Sequence, residues 1–130
     1  MSCLDNIPAA LSLMQQAAET KRRAATLGFD WLTVEDLLRH AEEELAEIRE
    51  AVASGDKAAI TDEMGDLLFV IANLARFTAT DADAALSGAI EKFSSRFRCL
   101  ERLLSERNLD PATADLGALW KEAKRLNKAQ

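Results

Sequence analysis

Leu86, Ile90, Phe93, Phe97, Leu100 and Leu104 recur at steps of four, three, four, three and four residues. That spacing keeps six apolar side chains on one side of a helix; in a strand it would scatter them over both faces. Val34, Leu37, Leu38, Ala41, Leu45, Ile48 and Val52 repeat the same mixed spacing further upstream. Punctuating residues separate the periodic stretches: Gly28, Gly55, Asn108 and Pro111. No hairpin dipeptide lies between alternating apolar runs, so no strand is expected.

Helix start and stop signals divide the chain further. A first helix is predicted over about 8–27, with Asn6 as its cap and Gly28 as its stop. A second follows Thr33, carries Glu35 and Asp36 in its first turn and ends at Gly55. Asp56 is the expected cap of a third, running to about Thr78, and Thr80 or Asp81 of a fourth. A short last helix is predicted over about 116–127. The expected class is all-α, an antiparallel helical bundle of four to five helices with short connections. The third helix is apolar around much of its circumference, which puts it at the centre or at a subunit interface.

With 130 residues the chain fits one domain, 1–130. The apolar share is 48%, the charged share 29%, and Gly and Pro number only 5 and 2, the balance of a soluble globular protein. A net charge of −6 argues against a nucleic-acid polymer as partner, which needs a basic footprint. Cys3 and Cys99 are too far apart in sequence for a CxxC or zinc pattern and suit a reduced pair. The N-terminus lacks a basic-then-apolar signal pattern. The longest apolar run, from Leu67 to Ala72, is too short to span a bilayer. The expected location is therefore the cytoplasm, with no membrane partner.

The acids carry the chemistry. Glu43 and Glu47 are about 40° apart around a helix axis, and Glu44 and Glu47 about 60°. Glu63 and Asp66 are likewise about 60° apart on the next helix. Alone, the first three would be an ordinary solvated face. Glu63 and Asp66 are harder to dismiss, because Met64, Leu67, Leu68 and Val70 surround them and Glu63 stands nearly two turns into its helix. A short connection would pack the two helices antiparallel, so all five carboxylates could converge. Converging carboxylates repel unless a cation or proton intervenes. Oxygen-only ligands suit Mg²⁺ or Mn²⁺ rather than zinc. A di-iron bundle would want Glu-x-x-His, yet Leu37 stands three before His40, the one histidine. His40 fits a surface or supporting place better than a ligand's.

Lys92 and Arg96 lie one turn apart beside the Phe93 and Phe97 stripe, and Trp120 and Lys124 one turn apart on the last helix. Each pair alone reads as a snorkelling cation or a core plug. Beside a Mg²⁺ site they suggest a polyphosphate, its oxygens bridged by metal and neutralised by Lys and Arg.

In order along the chain, "EEELAE", "DEMGDLLFVIANLAR", "EKFSSRFRCLE" and "LWKEAK" resemble the MazG nucleoside triphosphate pyrophosphohydrolases of the all-α NTP pyrophosphatase superfamily. "IPAALSLMQQA" and "RAATLGFDW" are similar to that family's opening segment. The resemblance implies Mg²⁺ ligands at Glu43, Glu44, Glu47, Glu63 and Asp66, and phosphate contacts at Lys92 and Arg96. It places Trp120 and Lys124 near the nucleotide. Phe29, Trp31 and Asn73 become weaker candidates for the nucleotide pocket. It implies hydrolysis of an NTP or dNTP to a monophosphate and pyrophosphate at the α–β anhydride, with Glu43 or Glu44 as general base. It also implies a homodimer or tetramer. Some members carry a lysine shortly before the Glu-x-x-Asp motif; here that position holds Ala59, with Lys57 nearby, and the contact stays unassigned. Some relatives carry two such domains, whereas this chain has one. Two other readings stay open: a narrow-substrate relative (dUTP, dCTP or phosphoribosyl-ATP pyrophosphohydrolase) and a noncatalytic nucleotide-binding module.

Overall fold

Gly55 adopts a left-handed conformation, φ 71°, and Asp56 directly behind it accepts hydrogen bonds from the backbone N–H groups of Ala58 and Ala59. One residue thus ends a helix and the next begins another. In the computed structural model, which describes residues 1–128, this corner joins α2 (Val34–Ser54) to α3 (Lys57–Phe77). Two connecting residues leave the helices no course but an antiparallel one, and they pack along their length. The remaining elements are α1 (Leu13–Ala25), α4 (Ala82–Glu106) and α5 (Leu116–Lys128). Among the described residues there is no strand, and no helix is long and apolar enough to cross a membrane.

Most predicted boundaries coincide with the observed ones. Thr33 caps α2 by accepting from Asp36 N–H. Asp81 accepts from Ala84 N–H at the head of α4, and Asn108 takes the left-handed φ of 56° that stops the chain beyond it. The start of α1 is a correction. Asn6 is not its cap but a left-handed turn residue, φ 60°. The helix begins behind Ser12, whose hydroxyl accepts from Gln15 N–H while the Gln15 side chain accepts from Ser12 N–H. This reciprocal Ser-x-x-Gln pair satisfies two donors that a start at Pro8 would leave open.

The chain divides into two compact units, Met1–Ala85 and Leu86 onward. In the first, α3 packs against both α1 and α2, the central place its apolar circumference predicts. Leu37, Ala51, Val70 and Ala72 are its buried apolar residues. In the second, Cys99, Leu100 and Leu103 of α4 enclose Leu119 and Ala123 of α5, with Leu104 and Trp120 packed alongside. Leu86, Ile90, Phe93 and Phe97, the first part of the α4 stripe, are exposed in the chain. Cys3 and Cys99 are free thiols.

Candidate metal centre

The buried face of α2 is not wholly apolar. Leu37, Glu44 and Ala51 follow at intervals of seven, nearly two full turns, and therefore stand in one row. Packing that buries Leu37 and Ala51 against α3 carries Glu44 in with them, leaving it 8% exposed. On α3, Glu63 stands seven residues before the buried Val70 and shares its row. The antiparallel corner brings these two rows face to face.

Glu44, Glu63 and Asp66 each contribute a carboxylate oxygen to one group, all within 4.8 Å of one another. Glu47, one turn beyond Glu44, lies against Glu63. A hydrogen bond shared with Glu47, with burial and the charges of Glu47 and Glu44 added, pushes the Glu63 carboxyl up to about 7. At neutral pH the cluster therefore already stands at the edge of taking up a proton.

The geometry passes a test for a cation. Glu44 Oε2 and Glu63 Oε2 are buried and accept from no donor of the protein among the described residues. Buried carboxylate oxygens without a donor are costly, and a cation removes that cost. The donors are all carboxylate oxygens, the set a hard divalent ion takes.

The predicted acids are thus sorted. Glu44, Glu63 and Asp66 meet, and Glu47 joins them through Glu63. Glu43, about 100° around the helix from Glu44, is exposed and outside the group.

The connector before α2 is tied to the same region. Trp31 Nε1 donates to His40 Nδ1 at 3.1 Å, and His40 Nε2 lies 3.0 Å from Glu44 Oε1. Trp31 packs edge-on to Phe77, and the Lys21 ammonium sits over the rings of Phe29 and Trp31. Asp30 receives two hydrogen bonds from the Arg76 guanidinium, at 3.1 and 2.8 Å, which hold its carboxyl below the usual range. Arg76 also donates to Asn73 Oδ1, and Asn73 Nδ2 donates to the Phe69 carbonyl. Asn73 is fully buried with both ends of its amide occupied, so its place is that of a strut behind Arg76. Phe29 is exposed under Lys21.

In the second unit, Lys92, Ser95, Arg96, Asn127 and Lys128 line an open cleft of about 370 Å³. Asn127 donates to Ser95, pinning α5 to α4 beside the cations. Trp120 packs on Phe93, ring centroids 5.2 Å apart, and Lys124 is exposed on α5. Lys128 is a third cation that sequence spacing did not mark. It joins the cleft only because α5 folds back along α4.

Fold and site together define an all-helical protein whose first unit carries an acidic group fit for a divalent ion and whose second unit carries a cationic cleft. A family model, the MazG nucleotide pyrophosphohydrolase domain, matches residues 32–99, and the chain belongs to that family. A nucleoside triphosphate pyrophosphohydrolase of Escherichia coli (strain K12) is 40% identical over 131 residues, covering 95% of this chain and 49% of its own length. The nucleoside triphosphate pyrophosphohydrolase/pyrophosphatase MazG of Thermotoga maritima is 36% identical over 114 residues, 85% of this chain and 44% of its own length. The chain thus spans about half the length of these relatives.

Proposed function

We propose that the chain hydrolyses nucleoside triphosphates to the monophosphate and pyrophosphate with Mg²⁺, Mn²⁺ serving as a substitute. The observation that carries this reading is the pair of buried carboxylate oxygens without a donor, Glu44 Oε2 and Glu63 Oε2, beside Asp66. Glu44, Glu63 and Asp66, with Glu47, would hold the ion. When bound, it would neutralise phosphate charge and polarise a phosphoryl oxygen toward attack. Lys92 and Arg96 would hold the remaining phosphate charge through charge-assisted hydrogen bonds. Lys128 extends that cationic surface, and Trp120 and Lys124 would lie by the nucleoside. Water attacks the α-phosphorus, the α–β bridging bond breaks and pyrophosphate leaves.

The general base would be a glutamate of α2. Glu44 has Oε1 on His40 and belongs to the acidic group. Glu43, exposed and with no part in that group, would be the carboxylate left to accept a proton from the attacking water. Exposed Met64, Leu68 and Ile71 on α3 support assembly as a homodimer or tetramer, since side chains of this kind are normally covered.

The test is pyrophosphate release from a panel of NTPs and dNTPs by wild type, Glu63→Ala and Asp66→Ala. Loss of turnover in both variants with helical circular dichroism intact is expected. Full activity in both would overturn the reading. Nucleotide-induced thermal shifts without turnover in the wild type would point to a noncatalytic binding module instead.

A further inference from the structure

The single histidine of the chain has both ring nitrogens engaged, and the two partners together decide where its proton sits. Trp31 Nε1 is an indole N–H, which only donates, so His40 Nδ1 across 3.1 Å must accept. The neutral ring then carries its one proton on Nε2, 3.0 Å from Glu44 Oε1. In that tautomer His40 donates to Glu44. In the other, a lone pair would face a carboxylate and the indole N–H would face another N–H.

Glu44 answers to this arrangement. Its Oε1 is taken by His40, its Oε2 is buried without a donor, and its carboxylate belongs to the acidic group. We propose that Trp31 and His40 are positioning residues: Trp31 selects the tautomer of His40, and His40 in that tautomer fixes the Glu44 carboxylate with Oε2 presented to a divalent cation. The proposal rests on the reading of the acidic group as an ion site and adds the device that orients one of its ligands.

The rest of the connector explains why Trp31 can serve as a fixed donor. Asp30, its neighbour, is clamped by Arg76 through two hydrogen bonds, and Arg76 is braced by the buried Asn73. Phe77 packs edge-on with the indole, and the Lys21 ammonium sits over its ring. The family resemblance makes Phe29, Trp31 and Asn73 candidate nucleotide contacts. The network gives Trp31 and Asn73 a different task, which is to hold a hydrogen-bond donor still behind a ligand. Ligand-orienting partners of this kind are commonly worth about 10–100-fold in metal affinity.

The test combines a measurement on the unaltered protein with a variant series. ¹⁵N NMR of the one imidazole in the wild type, above the pH of ring protonation, is expected to show the Nε2–H tautomer. Trp31→Phe should shift the ring toward a tautomer mixture. Mn²⁺ titration, followed by paramagnetic resonance without nucleotide, should show about tenfold weaker binding in His40→Ala and Trp31→Phe. His40→Gln should recover most of it, because its amide N–H₂ reaches the same oxygen. An Nδ1–H tautomer in the wild type would overturn the relay without reference to any variant. So would wild-type Mn²⁺ affinity in folded His40→Ala and Trp31→Phe, leaving the ion site itself standing. Failure of the wild type to bind Mn²⁺ at all would overturn both.

Discussion

Glu63 should make ion binding a proton exchange, and the structure sets its size. Glu47, burial and Glu44 together raise the carboxyl to about 7 from an ordinary 4.5. Below that value Glu63 holds a proton, and an ion can only take the oxygen by displacing it. The affinity is then divided by about 1 + 10^(7 − pH), which is about 11 at pH 6 and about 1.1 at pH 8. Mn²⁺ should therefore bind about tenfold more weakly at the lower pH, with close to one proton released there and almost none at the higher. Calorimetric titration in two buffers of different protonation enthalpy counts those protons directly. Glu63→Gln should bind more weakly at the higher pH and lose the slope. The stability of the ion-free protein should run the opposite way with pH. A raised carboxyl contributes stability fully below the unfolded value of 4.5 and loses it as pH climbs through about 7, so apo-protein should melt lower at neutral pH and recover with Mn²⁺. Affinity that is flat between the two pH values, or binding without proton release at the lower one, would refute the reasoning.

Asp30→Asn should cost about 1–2 kcal/mol in denaturant unfolding, because Arg76 loses a charged acceptor while half-buried. Since the Asp30 carboxyl is held below its ordinary 3.8, the contribution is present above that value and should fade as pH falls beneath it, closing the gap to wild type. Lys92→Ala and Arg96→Ala should each raise the KM for nucleoside triphosphate about tenfold or more in a pyrophosphate-release assay. Mn²⁺ affinity without nucleotide should stay unchanged in both, as neither belongs to the acidic group.

Helices were legible in the sequence because their signals are local. The stripe from Leu86 to Leu104, the caps Thr33, Asp56 and Asp81, and the stops Gly28, Gly55 and Asn108 all act within about one or two turns of themselves. Even the misplaced start of α1 had its sign in the chain, the Ser12-x-x-Gln15 pair, which outweighs the weaker pull of Asn6 and Pro8. The spacing of the acids was equally local and narrowed the ion to a hard one. What no local rule could supply was the selection among them. Only burial of Leu37 and Ala51 against α3 draws Glu44 inward and leaves Glu43 outside, because the two differ by about 100° around one axis. The link from Trp31 through His40 to Glu44 likewise joins a connector to a helix across nine residues and fixes a tautomer. The chain alone therefore determined which side chains were available to hold an ion. Packing of α2 on α3 decided which of them meet, since hydrogen-bond and carboxylate geometry is set by where whole helices come to rest.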